Sequence, residues 1–175
     1  VILFFLFVSL LSIMTSTKVV WKPEVDRLQQ AELVYELESR GFKRGTVDEM
    51  RKSVRNVLKL EADESLSSVP NPITFDADKE AITRSLEELR SLCAAFDGNV
   101  KTFRRVSALL MHSTRRIERT NATTKEQIQE KRDWTLEAQN IKSDFEEKQK
   151  SIRRHSTVGN SVPQHTSNPS AAFGY

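Results

Sequence analysis

From Pro23 onward the apolar positions recur at spacings of three and four, the period of an amphipathic helix, and no stretch alternates as a half-buried strand would. Val25, Leu28, Leu33, Val34 and Leu37 mark a first helix over 24–40, ended at Gly41, where a glycine just past the helix terminus is expected. After the turn from Gly41 to Gly45, Thr46 and Glu49 stand at the spacing of a capping box. The threonine hydroxyl accepts from the Glu49 amide, and the Glu49 carboxylate reaches back to the threonine amide. A second helix carries Val47, Met50, Val54, Val57 and Leu58 on one face and ends near 60–63. Together they predict a small helical hairpin within residues 14–64.

Ser-Ser-Val-Pro-Asn-Pro marks a linker over 65–75. A third helix then shows Ile82, Leu86, Leu89, Cys93 and Phe96, spaced 4-3-4-3 like a coiled-coil seam, with Asp76 and Asp78 favouring its N-terminus. Asp97-Gly98-Asn99 is a turn, and Val100 to Arg119 a fourth helix. Thr123 with Glu126 predicts another capping box, opening a fifth helix with Trp134, Ala138, Ile141, Phe145, Lys148 and Ile152 on its seam. From Arg153 the chain is Ser, Thr, Asn and Pro without periodicity, which predicts a disordered tail over 153–175. The expected fold is all-α: a hairpin, a linker, a coiled-coil-like bundle over 76–152, and the tail. Because Thr, Gln and Lys dilute the seams, a lone monomer is expected to bury little and to self-associate through the 79–96 and 124–152 stripes, as a homo-oligomer.

The first residues differ from the rest. Twelve of the 14 positions from Val1 to Met14 are apolar, and the first charge is Lys18. A bilayer-spanning helix needs about 20 apolar residues, and no basic residue precedes this run as in a signal peptide. Residues 1–13 are read as upstream translated sequence ahead of Met14, the alternative being a truncated signal or anchor. The first reading implies a cytoplasmic or nuclear protein; the second implies a membrane or secretory one, in which Asn121-Ala122-Thr123 becomes a glycosylation acceptor.

Composition narrows the function classes. Charged residues make up 29% of the 175, while five Gly and five Pro are too few for a turn-rich β fold. The single cysteine, Cys93, excludes an internal disulfide and any multi-thiolate metal site. There is no Gly-rich phosphate loop, no His-Glu-x-x-His, no Gly-x-Ser-x-Gly and no Cys/His cluster. Glu87-Glu88 and Glu146-Glu147 are sequence neighbours that diverge by about 100° on a helix, so neither is a paired-carboxylate site. The chain is expected not to be an enzyme and to take no cofactor, metal or small-molecule substrate.

The net charge of +3 conceals a local excess. Between Val100 and Arg119 stand six cations (Lys101, Arg104, Arg105, Arg115, Arg116 and Arg119) against one anion, Glu118. On a helical wheel they fall within about 60° of Lys101, as does His112, while Val100, Phe103, Val106, Ser107, Leu110 and Ile117 lie opposite. Such a stripe suits the phosphates of nucleic acid or of an acidic membrane surface. The other reading is a helix face balanced by acidic neighbours such as Glu87, Glu88 or Asp144. If the stripe meets a polyanion, replacing Arg105, Arg115, Arg116 and Arg119 with Gln weakens binding and leaves helical content nearly unchanged.

The hairpin offers a second candidate. AELVYELESRGFKRGTVDEMRKSVRNVL resembles the SAP motif, a helix-turn-helix module associated with chromosomal DNA. The likeness rests on Leu33 and Leu37, the Arg40-Gly41 step, the Gly45-Thr46 turn, and Met50, Val54 and Leu58. It implies that Arg40, Lys43, Arg44, Arg51, Lys52 and Arg55 contact DNA phosphates. Asp48 and Glu49 depart from the motif, which often has a lysine after the Gly-Thr turn, and leave a protein-interaction module as the alternative.

The order of hairpin, Pro-containing linker, coiled-coil-like helices and Ser/Asn/Pro tail resembles the N-terminal part of Gag-type proteins from gypsy-like long-terminal-repeat retroelements. That likeness covers residues 14 to about 160. It implies a structural and assembly role, with possible DNA or RNA contact and with the capsid and nucleic-acid-binding parts further downstream. No capsid, zinc-knuckle or protease signature occurs here, so the chain is expected to be a fragment or relic of a longer polyprotein.

Overall fold

The structure is a computed structural model that describes residues 22–62 and 69–158. Its elements are all helices: α1 Lys22–Val25, α2 Gln30–Glu38, α3 Val47–Ala62, α4 Phe75–Ala94, α5 Val100–Arg119 and α6 Lys125–Val158. No strand occurs among the described residues, so the fold is all-α. The readings made of residues 1–13, of the linker up to residue 68, and of the tail past Val158 lie outside the described residues.

The helix expected over 24–40 is two helices. A turn at Asp26 and Arg27, closed by Arg27 N–H donating to the Glu24 carbonyl at 3.0 Å, separates α1 from α2. The five-residue step from Leu28 to Leu33 is what breaks the period, and Gln29 restarts it by donating its amide to Glu32 Oε2 at 2.7 Å. At the far end Gly41 adopts φ +78°, and the Phe42 amide donates to the Leu37 carbonyl at 3.0 Å, sealing α2 as a glycine terminator does. The Thr46–Glu49 capping box forms as read: Thr46 N–H donates to Glu49 Oε2 at 2.8 Å, and Glu49 N–H to Thr46 Oγ1 at 3.4 Å. Leu33, Leu37, Met50, Val54, Val57 and Leu58 form the hairpin core, closed from outside by Val25, Leu28 and Ala108 of α5.

The bundle runs up, down and up. Phe75 at the start of α4 stacks on Trp134, centroids 5.4 Å apart, while Lys148 reaches the Cys93 and Ala94 carbonyls at its end, so α4 and α6 are parallel. That contact also explains a lysine on an apolar seam: its ammonium caps the last carbonyls of α4. The tight reversal into α5 needs Gly98, at φ +99°, where an added Cβ would meet Ile152 Cγ2 at 3.1 Å. Asn99 Oδ1 then caps α5 by accepting from the Lys101 amide at 2.8 Å.

The second capping box falls one residue later than expected. Thr124 Oγ1 accepts from Gln127 N–H at 3.2 Å, and Gln127 Oε1 accepts from the Thr123 and Thr124 amides. The expected disorder boundary at 153 also moves: α6 continues to Val158, because no Gly or Pro interrupts the chain from Lys125 until Gly159.

The two 4-3-4 stripes face each other inside one chain. Ile82, Leu86, Leu89 and Phe96 pack with Trp134, Ala138, Ile141 and Phe145 around Val106, Leu109 and Ile117 of α5. Each of the Leu, Ile, Val and Phe side chains contributes about 1.5–3 kcal/mol when fully buried. A monomer therefore buries two linked cores, contrary to the expectation from diluted seams. The sequence shows that a stripe exists; it does not say which stripe meets it.

Candidate interaction sites

Helix α5 is the centre of the molecule, with the hairpin against one side and α4 and α6 against the other. Its cations meet carboxylates and carbonyls of both. The Arg105 guanidinium holds Glu32 of α2 bidentately, at 2.7 and 2.8 Å, and Glu88 of α4 at 2.7 Å. Its side chain is only 16% exposed. Arg116 donates from Nε to Asp78 Oδ1 at 2.9 Å and lies 3.9 Å over the Tyr35 ring, a cation–π contact. Arg119 donates to the carbonyls of Ser39, at 2.8 Å, and Val69, at 2.9 Å. Arg115 is half-buried, and only Lys101 and Arg104 of the six are exposed. The six are not one solvent-facing stripe. They are mostly the polar seam by which the hairpin docks on the bundle, and Glu88 was among the acidic neighbours the sequence offered.

The hairpin cations divide in the same way. Arg40 is buried and donates to Glu36 Oε2 at 2.9 Å and to the Glu36 carbonyl at 2.7 Å, so it is interior and not at a DNA-facing surface. Arg44 pairs with Glu38, Arg51 with Asp48, and Arg55 with Asp26 across the hairpin. Lys43 and Lys52 are exposed. The structure does not gather these six into one patch.

Sequence reasoning missed the buried cluster between the two cores. His112 Nδ1 lies 2.7 Å from Glu36 Oε1, and the His112 ring meets Tyr35 edge-on at 5.5 Å. Burial alone would raise the Glu36 carboxyl. The hydrogen bond and charge of His112, with Arg40 and Arg115 nearby, outweigh it and hold Glu36 below the usual carboxylate range. Asp78 goes the other way: burial raises it despite Arg116, Thr120 and Asn71. The Tyr35 phenol is likewise pushed up, chiefly by burial. One signal was available in the sequence: a histidine within the arc of cations marks a face that is not simply solvated.

Asn71 straps the chain before α4 to the bundle, donating to Asp78 Oδ2 at 3.3 Å and to the Arg119 carbonyl at 3.1 Å. Asn121 of the sequon is exposed, but its amide nitrogen donates to the Asn71 carbonyl at 2.7 Å. Cys93 is half-buried, and burial pushes its thiol up.

An apolar face stays open on the bundle. Between α5 and α6 runs a groove of about 490 Å³, floored by Phe103, Leu110, Met111 and Phe145, with Arg115, Glu118, Lys142 and Glu146 on its rim. Among the described residues no three His, Cys, Asp or Glu side chains are placed to hold a metal ion, and no helix is long and apolar enough to cross a membrane. No protein-family model, curated protein or solved structure matches the chain.

Proposed function

We propose that the chain is a non-enzymatic structural protein, comparable in role to the N-terminal region of a Gag-type retroelement protein, and that it self-associates. The observation that supports this is the fate of its charged side chains. Arg105–Glu32 and His112–Glu36 join the hairpin to the bundle, while Arg40–Glu36 and Arg116–Asp78 brace the hairpin and the bundle internally, so these charged groups are spent on holding the fold together. Among the described residues, what faces outward is mixed-charge helix with an apolar groove between α5 and α6. A rigid block of this kind is suited to assembly. On this reading the protein works in the cytoplasm or nucleus.

Light scattering of the full chain between 1 and 200 µM, conditions chosen to span weak association of about tens of micromolar, tests the reading. A mass rising with concentration is expected; a strict monomer throughout overturns it. A capsid, protease or reverse-transcriptase frame downstream of the coding sequence would support the retroelement assignment.

A second reading, polyanion binding, keeps a narrower basis than the stripe gave it: Lys43 and Lys52 on the hairpin and Lys101 and Arg104 on α5, all exposed.

A further inference from the structure

We propose that the α5–α6 groove is the self-association surface and that its occupant is the same groove of a second copy, related by a two-fold axis. The proposal rests on the assembly reading above and adds the place and symmetry of the contact.

The outward stripe of α5 carries Phe103, Ser107, Leu110 and Thr114, spaced 4-3-4, and its first three members are half-buried beside Phe145. That is the spacing of a helix-packing seam; Phe103 stacks on Phe145, centroids 5.9 Å apart, but among the described residues the groove beside the stripe stays open. Large and small residues alternate along it in a self-complementary order. When two such helices run antiparallel about the midpoint between Ala108 and Leu109, Phe103 faces Thr114 and Ser107 faces Leu110. Every large side chain then meets a small one, in both halves of the contact, which an isologous interface requires. The Ser107 hydroxyl already donates to the Phe103 carbonyl at 3.0 Å, so covering it strands no donor.

The rim agrees. It holds two cations, Arg115 and Lys142, and two anions, Glu118 and Glu146, so a like copy approaches without net repulsion. A continuous single-sign rim would instead have favoured a partner of opposite charge. Size sets the strength. From Phe103 to Glu118 the face is about 22 Å long and, across two helices, roughly 20 Å wide. That is about half of the ~800 Å² per partner of a standard stable interface. The dimer is therefore weak, forming at about tens of micromolar, with Leu110 near its centre and Phe103 at each end.

The test is sedimentation equilibrium of the full chain, wild type against Ser107→Arg, which places a long side chain where the partner's Leu110 would sit. Ser107 is half-buried on the groove wall, so circular dichroism and thermal unfolding check that the variant folds; Thr114→Arg, at an exposed position opposite Phe103, is the second variant should the first lose its fold. Leu136→Arg, on an exposed part of α6 away from the groove, is the control. The expected result is a wild-type dimer, at least tenfold weakened by Ser107→Arg or Thr114→Arg and unchanged by Leu136→Arg. A wild type that dimerises equally well with both groove variants overturns the groove while the assembly reading stands. Loss of dimer in Leu136→Arg alone moves the contact to the outer face of α6. Mass growing past the dimer indicates a head-to-tail contact and overturns the two-fold arrangement. A wild type that stays monomeric overturns both readings.

Discussion

Arg105 and Glu32 stand 73 positions apart and meet through two hydrogen bonds of 2.7 and 2.8 Å, a bidentate carboxylate grip between hairpin and bundle. Both side chains are largely out of water, at 16 and 11% exposure, so removing one leaves the other desolvated and unpaired. The neighbouring Glu88 is 38% exposed and adds less.

Arg105→Gln is therefore expected to destabilise the protein by about 2–3 kcal/mol, which for a chain of this size is roughly 5–10 °C in Tm. Adding Glu32→Gln should recover part of the loss, since the stranded carboxylate is then gone. Thermal unfolding of the four proteins in that double-mutant cycle measures the coupling. A loss below about 0.5 kcal/mol, the size of a surface effect, would show that the grip is not structural. For the same reason the Gln replacement of Arg105, Arg115, Arg116 and Arg119 should not leave the fold intact, as a purely solvated stripe would have allowed.

Glu36 gives stability a definite sign in acid. Its folded carboxyl is held low by His112 and Arg40, so the unfolded chain takes up the proton first. Its contribution is present above the unfolded value of about 4.3 and is lost as pH falls below that, through the folded value. Asp78, raised by burial, works in the opposite sense: its contribution is present in acid and is lost as pH rises through its folded value. Denaturant unfolding between pH 7 and pH 2.5 should show wild-type stability falling below about pH 4.3, and Glu36→Gln should be less stable at pH 7 with a flatter acid limb. An acid limb of equal slope in the two proteins would remove Glu36 as its source.

Two glycines should respond differently to alanine. At Gly41, with φ +78°, a Cβ meets nothing within 4 Å, so Gly41→Ala carries only backbone strain of about 1–2 kcal/mol. At Gly98, with φ +99°, the added carbon also presses on Ile152 at 3.1 Å, and Gly98→Ala should be the worse by about 1 kcal/mol. Equal urea midpoints would mean that α6 yields at Ile152 without loss.

Polyanion binding, where present, should depend on few contacts. Lys43, Lys52, Lys101 and Arg104 are exposed but come from the hairpin turn, α3 and α5, and two contacts at a time give a slope of about −2 in log affinity against log salt, short of the −3 to −4 of a continuous stripe. Replacing all four with Gln should abolish binding to single-stranded RNA and leave Tm unchanged. Retained binding by that variant would place the contact elsewhere.

The limits of α5 were legible because Asn99 and the Asn121–Thr124 stretch punctuate both ends, and the Gly41 terminator and Thr46 box were equally local. Where punctuation is unusual the sequence misleads: glutamine at position 29 is a poor cap signal, so α1 and α2 read as one helix. The candidate site was harder still. Periodicity identified the cationic face of α5 correctly but could not say what covers it, since Glu32, Glu88 and Asp78 come from 73, 17 and 38 positions away. A basic face on a surface helix and a basic face in a polar seam have the same wheel. The burial of His112 distinguishes them, and that is a property of the assembled fold.

The hairpin also has a timing problem built into it. Its core is closed by Ala108, and Glu36 meets His112, both on a helix made after the hairpin itself. At roughly 5–20 residues per second, Arg119 follows Ala62 out of the ribosome by about 3–11 s. During those seconds the nascent hairpin carries an uncapped apolar patch and a carboxylate without its imidazole. Any pause or truncation before His112 leaves that half-finished module exposed to chaperones, proteases and neighbouring nascent chains. The hairpin is completed only by a helix translated after it, so its survival is tied to the speed of translation through α5.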